Sequence, residues 1–259
     1  MSEAKKSHQL KSVSTFENVL KLNKIINLSQ SRETLIGLIR DCAVDDYGNI
    51  WILDSKECNI KKYDKNGNFL IQIGRKGEGP GEFIYPFGLF VDKDKIYVTD
   101  PGLRRLSIFQ KNGLFEYSFN IKDGRSVKLT KDGNIIIAAP LLKSEKGGFC
   151  IHVYNKKGKF LRSFYPIADI SLKHNLISDG VYFDLDSRNN IYCVQETDYN
   201  IHKYNIAGDL IKTFSKKNSY YVPPPSKPFR EFFLRSVADA WIKSWTHIIQ
   251  IEILNNGLL

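Results

Sequence analysis

The residues best able to do chemistry are acids that return at intervals: Asp45, Asp46, Asp54, Asp92, Asp94, Asp100, Asp184 and Asp186. Carboxylates in such number could hold calcium, which needs six to eight oxygens converging on one point. These acids instead sit beside Gly or Asn, where a short carboxylate hydrogen-bonds nearby backbone, so turns are the better reading. Residues 74–83 hold four glycines and suggest a phosphate loop, yet no Gly-Lys-Ser/Thr occurs and Pro86 and Gly88 follow. The helix N-terminus that phosphate loops require is therefore missing. The segment suits a connection in which Pro80 presets φ and Gly81 takes the positive value. The histidines are His8, His152, His174, His202 and His247; the cysteines are Cys42, Cys58, Cys150 and Cys193. Neither set shows zinc-ligand spacing or a disulfide framework, so no metal and no cofactor is expected.

These residues are positioned by a repeat. The segment 44–54 returns at 91–100, degenerately at 129–137, and again at 183–194. Measured at the isoleucine after each turn, the steps are 46 (Ile50 to Ile96), 39 (to Ile135) and 56 (to Ile191), so a constant unit carries loops of varying length. Each unit continues with an alternating run, an aromatic, a polar-Gly turn and another run: Tyr63 before Gly67, Phe109 before Gly113, Tyr154 before Gly158, Tyr204 before Gly208. Glycine supplies the positive φ of tight hairpins, and alternation with period two marks strands. The expectation is an all-β propeller of four-stranded antiparallel blades, a form whose sheet faces bury only against neighbouring blades.

Blades are expected at about 42–73, 87–121, 125–165 and 180–215, with a partial one at 245–259. Residues 216–244 read as an inter-blade insertion with a short helix, because Phe229, Phe233, Val237 and Trp241 fall four apart. Residues 1–15 read as a disordered tail, leaving 16–259 as one domain, and the strand-like run 18–28 is a candidate closing strand.

The chain has 259 residues, a net charge of +10, 42 % hydrophobic and 25 % charged residues, which excludes wholesale disorder. No run of about 18 apolar residues is present, so no spanning helix is expected. Nor is there an apolar signal-peptide segment among the first 30 residues. The basic residues are scattered doublets, which makes nucleic acid an unlikely partner.

With Gly74, Arg75, Gly77, Gly79, Pro80, Gly81 and Phe83, then Tyr85, Pro86, Gly88 and Asp92, the chain resembles six-bladed propellers of the NHL-repeat type. It is especially similar to bacterial, Bacteroidetes-type members, which are exported or lipid-anchored. The resemblance implies six blades and an extracytoplasmic location. At about 47 residues each, six blades need roughly two more than this sequence holds, so it reads as C-terminally truncated. Its open edges are expected to self-associate unless 18–28 and 245–259 cover them.

In a propeller, the second-to-third-strand turns and the blade-to-blade connections share one face. That face is expected to carry Arg75, Lys76, Arg104, Arg105, Arg125, Lys143, Lys173 and His174, with Glu196 and Tyr199. The expected function is a non-catalytic binding scaffold for protein, peptide or carbohydrate. Two alternatives are a lyase or lactone hydrolase with a divalent metal at the central channel, and an RNA-binding domain. Amidating lyases of the resembled type place metal-binding histidines at the channel; no matching motif set is present here. His152 and His202 occupy equivalent third-strand positions, which argues for repeat ancestry rather than a metal pair, and His174 is expected in a loop.

Overall fold

The computed structural model describes residues 24–29, 31, 34–144, 147–174, 180–215 and 222, with the backbone alone at 142–144, 170, 173 and 174. The tail, the helix at 226–241 and the strand at 245–259 lie outside the described residues. So do residues 18–23 of the closing-strand candidate; residues 24–28 of it form no strand. Ser29 instead meets the Gly67 turn, its amide donating to the Gly67 carbonyl at 2.7 Å.

Among the described residues sixteen strands form four antiparallel sheets. The first holds β1 (Ile39–Val44), β2 (Ile50–Asp54), β3 (Asn59–Tyr63) and β4 (Phe69–Ile73). The second holds β5 (Gly88–Val91), β6 (Lys95–Asp100), β7 (Arg105–Gln110) and β8 (Phe115–Asn120). The third holds β9 (Ser126–Leu129), β10 (Ile135–Ser144), β11 (Gly147–Tyr154) and β12 (Phe160–Pro166). After helix α1 (Asp169–His174) come β13 (Val181–Leu185), β14 (Ile191–Gln195), β15 (Asp198–Tyr204) and β16 (Leu210–Ser215). Every sheet is ordered as its strands follow in sequence, and β1, β5, β9 and β13 pack successively side by side as the innermost strands. This is a propeller with four described blades.

The core lies between blades because strand alternation divides each sheet's residues between two neighbours. Ile135 and Ile137 join Tyr97, Leu106, Ile108 and Tyr154 between blades two and three. Ile136 and Ala138, one residue out of phase, join Ile151, Val181, Phe183 and Ile191 between blades three and four. Trp51, Leu53, Ile60, Phe83, Ile96 and Phe109 fill the first interface. On blade one Leu38, Ile39 and Val44 are exposed.

Each hairpin between third and fourth strands carries a register shift at its aromatic: Tyr63, Phe109, Tyr154 and Tyr204. Three of these rings meet the phenylalanine beyond the turn edge-on, with centroids 5.6–5.8 Å apart. The turn after Tyr154 is one that its glycine alone fits. Gly158 has φ +80°, and a Cβ there would lie 2.3 Å from the Phe119 ring. Gly133 has φ +84° but open space around it. Gly133→Ala is expected to destabilise by about 1 kcal/mol, the left-handed backbone alone. Gly158→Ala adds a clash with a packed ring and is expected to cost roughly 2–4 kcal/mol. Urea titration of the two variants checks the difference.

Candidate functional site

Among the described residues, one end of the propeller is built from the β2–β3, β6–β7 and β14–β15 turns together with the connections 74–87 and 121–125 and residues 167–174 and 180. A polar residue at the end of the second strand fixes the connection that enters its own blade. The buried Asp54 carboxylate accepts the amides of Gly37 at 2.7 Å and Leu38 at 3.0 Å, then those of Lys56 and Glu57, and the Lys61 ammonium at 3.0 Å. Burial pushes this carboxyl up, but those donors outweigh it and hold it at about 2. Asp100 accepts the amides of Ile84, Tyr85 and Leu103 at 2.8–3.1 Å. In blade four Gln195 accepts the Ala168 amide at 2.8 Å and donates to the Pro166 carbonyl. Blade three has Ala139 instead, and its carbonyl receives His152 Nε2 at 2.8 Å. A carbonyl only accepts, so Nε2 carries the proton and Nδ1 accepts from Ser163 Oγ at 2.6 Å. Burial pushes the His152 imidazole below its ordinary value.

At the other end Asp45, Asp92 and Asp186 each accept turn amides two to four residues on. Asp45 also accepts the Trp51 indole N–H at 3.0 Å. The same oxygen accepts the Asn49 side-chain amide at 3.1 Å, so Trp51→Phe removes one hydrogen bond without orphaning the acceptor, and a loss of about 1 kcal/mol is expected in chemical unfolding. These acids stand apart, engaged by backbone; among the described residues no group of three His, Cys, Asp or Glu is placed to hold a metal.

The basic residues of the connection face have different surroundings. Arg75 is 80 % exposed and its Nε donates to Glu82 at 2.7 Å. Lys76 is exposed at the bridge to Phe83 that closes the 74–83 connection upon itself. Arg104 is exposed in a left-handed conformation. Arg105 turns inward, donating to the carbonyls of Glu78, Gly79 and Glu82 at 2.7–3.1 Å, and so clasps that connection. Glu196 exchanges bonds with Gly180, its amide reaching the carbonyl at 2.9 Å and its carboxylate accepting the Gly180 amide at 3.1 Å. Tyr199 is half-buried on β15 and Lys143 lies on β10. Lys173 and His174 lie on α1, a helix where a loop was expected for His174. The helix forms because Gln195 fixes Ala168, whose carbonyl accepts the Leu172 amide, while Ser171 meets Thr197 at 2.6 Å.

One grouping does converge. The Arg40 guanidinium lies 3.5 Å from the centre of the Phe87 ring and 5.8 Å from that of Tyr85; Arg125 approaches Phe87 at 5.8 Å. Tyr85 and Phe87 meet edge-on at 6.0 Å. Arg40 is on β1, Phe87 enters β5 and Arg125 enters β9, so three successive innermost strands deliver them to the mouth of the channel. Arg40 is exposed and forms no ion pair among the described residues. Arg125 has Asp123 at 3.8 Å. Below them Asp41 accepts the Leu89 amide at 2.7 Å, joining blades one and two. Burial pushes the Asp41 carboxyl up, against amides and the Lys128 and Arg40 charges. Lys128 in turn reaches Asp184 at 2.5 Å, joining blades three and four. Arg40, Tyr85 and Phe87 were missed in sequence because only loop charges were counted; the signal was the basic residue beside the innermost-strand acid.

The architecture defines a β-propeller protein. Residues 3–120 match the model of a family described as a 6-bladed beta-propeller. No curated protein sequence matches the chain. Among solved structures, a Bacteroides fragilis protein described as exported is similar over 72 % of this chain and 52 % of its own, at 19 % identity and TM-score 0.60. A Bacteroides vulgatus structure is similar over 72 % and 60 %, at 14 % identity and TM-score 0.53. Kuenenia stuttgartiensis hydrazine synthase is similar over 71 % and 52 %, at 13 % identity and TM-score 0.51. The chain thus spans little more than half the length of the structures it resembles, and identities this low speak for the fold alone.

Proposed function

We propose that this propeller is a non-catalytic binding module of an extracytoplasmic protein, taking a protein, peptide or carbohydrate ligand on its connection face. The observation that carries the reading is the pair of guanidiniums about Phe87. A guanidinium stacked on a ring is held in place yet keeps its outer N–H edge for a carboxylate or other planar anion. Tyr85 supplies an exposed ring beside it, a combination typical of interface anchors. Arg75, Lys76 and Arg104 form a positive rim that speeds encounter more than it tightens binding. The non-catalytic reading is supported by Asp45, Asp54, Asp92, Asp100 and Asp186, whose carboxylates accept backbone amides. The exported relative supports the location. The test is capture on peptide and glycan arrays by the full chain, with Arg40→Ala alongside. Enrichment of acidic ligands that the variant loses is the expected result. Capture of none, or preference for RNA with a steep fall in salt, overturns it.

A further inference from the structure

The opposite end of the propeller has a feature that the connection face does not explain. Between blades two and three a cleft of about 570 Å³ opens among the first-to-second and third-to-fourth strand turns. That volume falls in the range of small-molecule sites, roughly 300–1,000 Å³. Tyr97 and Tyr117 line it from blade two, Leu129 and Ile135 from blade three. Tyr117 is 36 % exposed along the wall, and its hydroxyl donates to the Lys156 carbonyl at 2.8 Å, fixing the rim across the blade boundary.

The charges of the cleft are unevenly matched. Lys95 is paired with Glu116 at 2.6 Å. Asp92 accepts the amides of Asp94 and Lys95 at 2.7 and 2.6 Å and faces the Tyr97 hydroxyl at 3.4 Å. Lys156 and Lys157 stand together at the rim, exposed, with no ion pair to either ammonium among the described residues. Gly133 faces the space without an atom within 4 Å of where its Cβ would be.

We infer that this cleft is a second binding site, for a small ring-bearing anion: its ring lies against Tyr117, and its carboxylate or phosphate meets Lys156 and Lys157. Aromatic walls take flat apolar faces, and two adjacent like charges gain by sharing one anion. A sugar acid and a nucleoside monophosphate both have this chemistry. Titration calorimetry of the full chain with glucuronate, AMP and neutral glucose separates them.

At least one of the two anions is expected to bind, about tenfold or more tighter than glucose, and which one binds identifies the source. Lys156→Gln with Lys157→Gln is expected to weaken it about tenfold, a modest figure because the ammoniums are exposed. Gly133→Asn, a residue that tolerates positive φ, is expected to place a side chain in the cleft and weaken binding about tenfold while leaving the melting curve nearly unchanged. Arg40→Ala is expected to have no effect here. Binding of neither anion overturns the inference, as does equal affinity for glucose or affinity that survives the lysine substitutions.

Discussion

Asp54→Ala is expected to lower the unfolding free energy by about 3–5 kcal/mol, the loss typical of breaking a buried pair from one side. The Lys61 ammonium, 1 % exposed, would retain only Asn59 Oδ1 at 2.8 Å and face a void where its counter-charge stood. The amides of Gly37, Leu38, Lys56 and Glu57 would lose their common acceptor in the same step. An orphaned buried donor costs about 1–3 kcal/mol by itself, so the entry into blade one loosens as well. Asp54→Asn, isosteric but neutral, is expected to fall between wild type and alanine. Adding Lys61→Met to Asp54→Ala should recover part of the loss, because the unpaired charge goes with it. Urea unfolding by circular dichroism and by tryptophan fluorescence gives the three values.

The same carboxyl sets an acid limit. Asp54 and Asp45 both hold about 2 in the fold against an ordinary 3.8. Lowered folded values mean the unfolded chain binds more protons, so their contribution is complete above about pH 4 and is lost as pH falls toward 2. Wild type should therefore lose stability through that window, and Asp54→Ala should show a shallower slope.

Arg40→Ala is expected to weaken a selected acidic ligand by about 10- to 100-fold, some 1.4–2.8 kcal/mol. Among the described residues the side chain forms no ion pair, and a bidentate charge-assisted contact is worth that much. Arg40→Lys should restore little, since an ammonium neither stacks flat on Phe87 nor presents two parallel donors. Phe87→Leu keeps an apolar side chain but removes the ring face, and is expected to cost about tenfold by freeing Arg40 to sample other rotamers. Arg75→Ala should change affinity less than about threefold, because an exposed rim charge contributes little. Surface plasmon resonance separates the cases: the rim substitution acts on the association rate, the mouth substitutions on dissociation.

Much of the fold was legible because its signals are local. A glycine four residues after an aromatic, as Gly67 follows Tyr63 and Gly158 follows Tyr154, dictates a hairpin whatever surrounds it. Asp45 and Asp186 likewise act on amides within four residues, so their turn role follows from neighbours in sequence. The mouth of the channel was not legible, since Asp41 and Leu89, 48 residues apart, meet only when blades pack. Lys61 reads as a solvated strand charge, yet it shares the third-strand position of Ser107 and His152 and is buried like them. Arg105 looks like a surface cation, but its partners are carbonyls 23 to 27 residues earlier. The α1 helix depends on Gln195, a partner that no local pattern announces.

Hydrogen exchange of the full chain with and without an array-selected acidic ligand tests the central claim most directly. Slowed exchange at 37–42, 84–89 and 121–126, absent in Arg40→Ala, is the predicted result. Protection confined to the turns at 45–49, 92–95, 130–134 and 186–190, with the channel mouth unaffected, would contradict the assignment of the connection face as the binding surface.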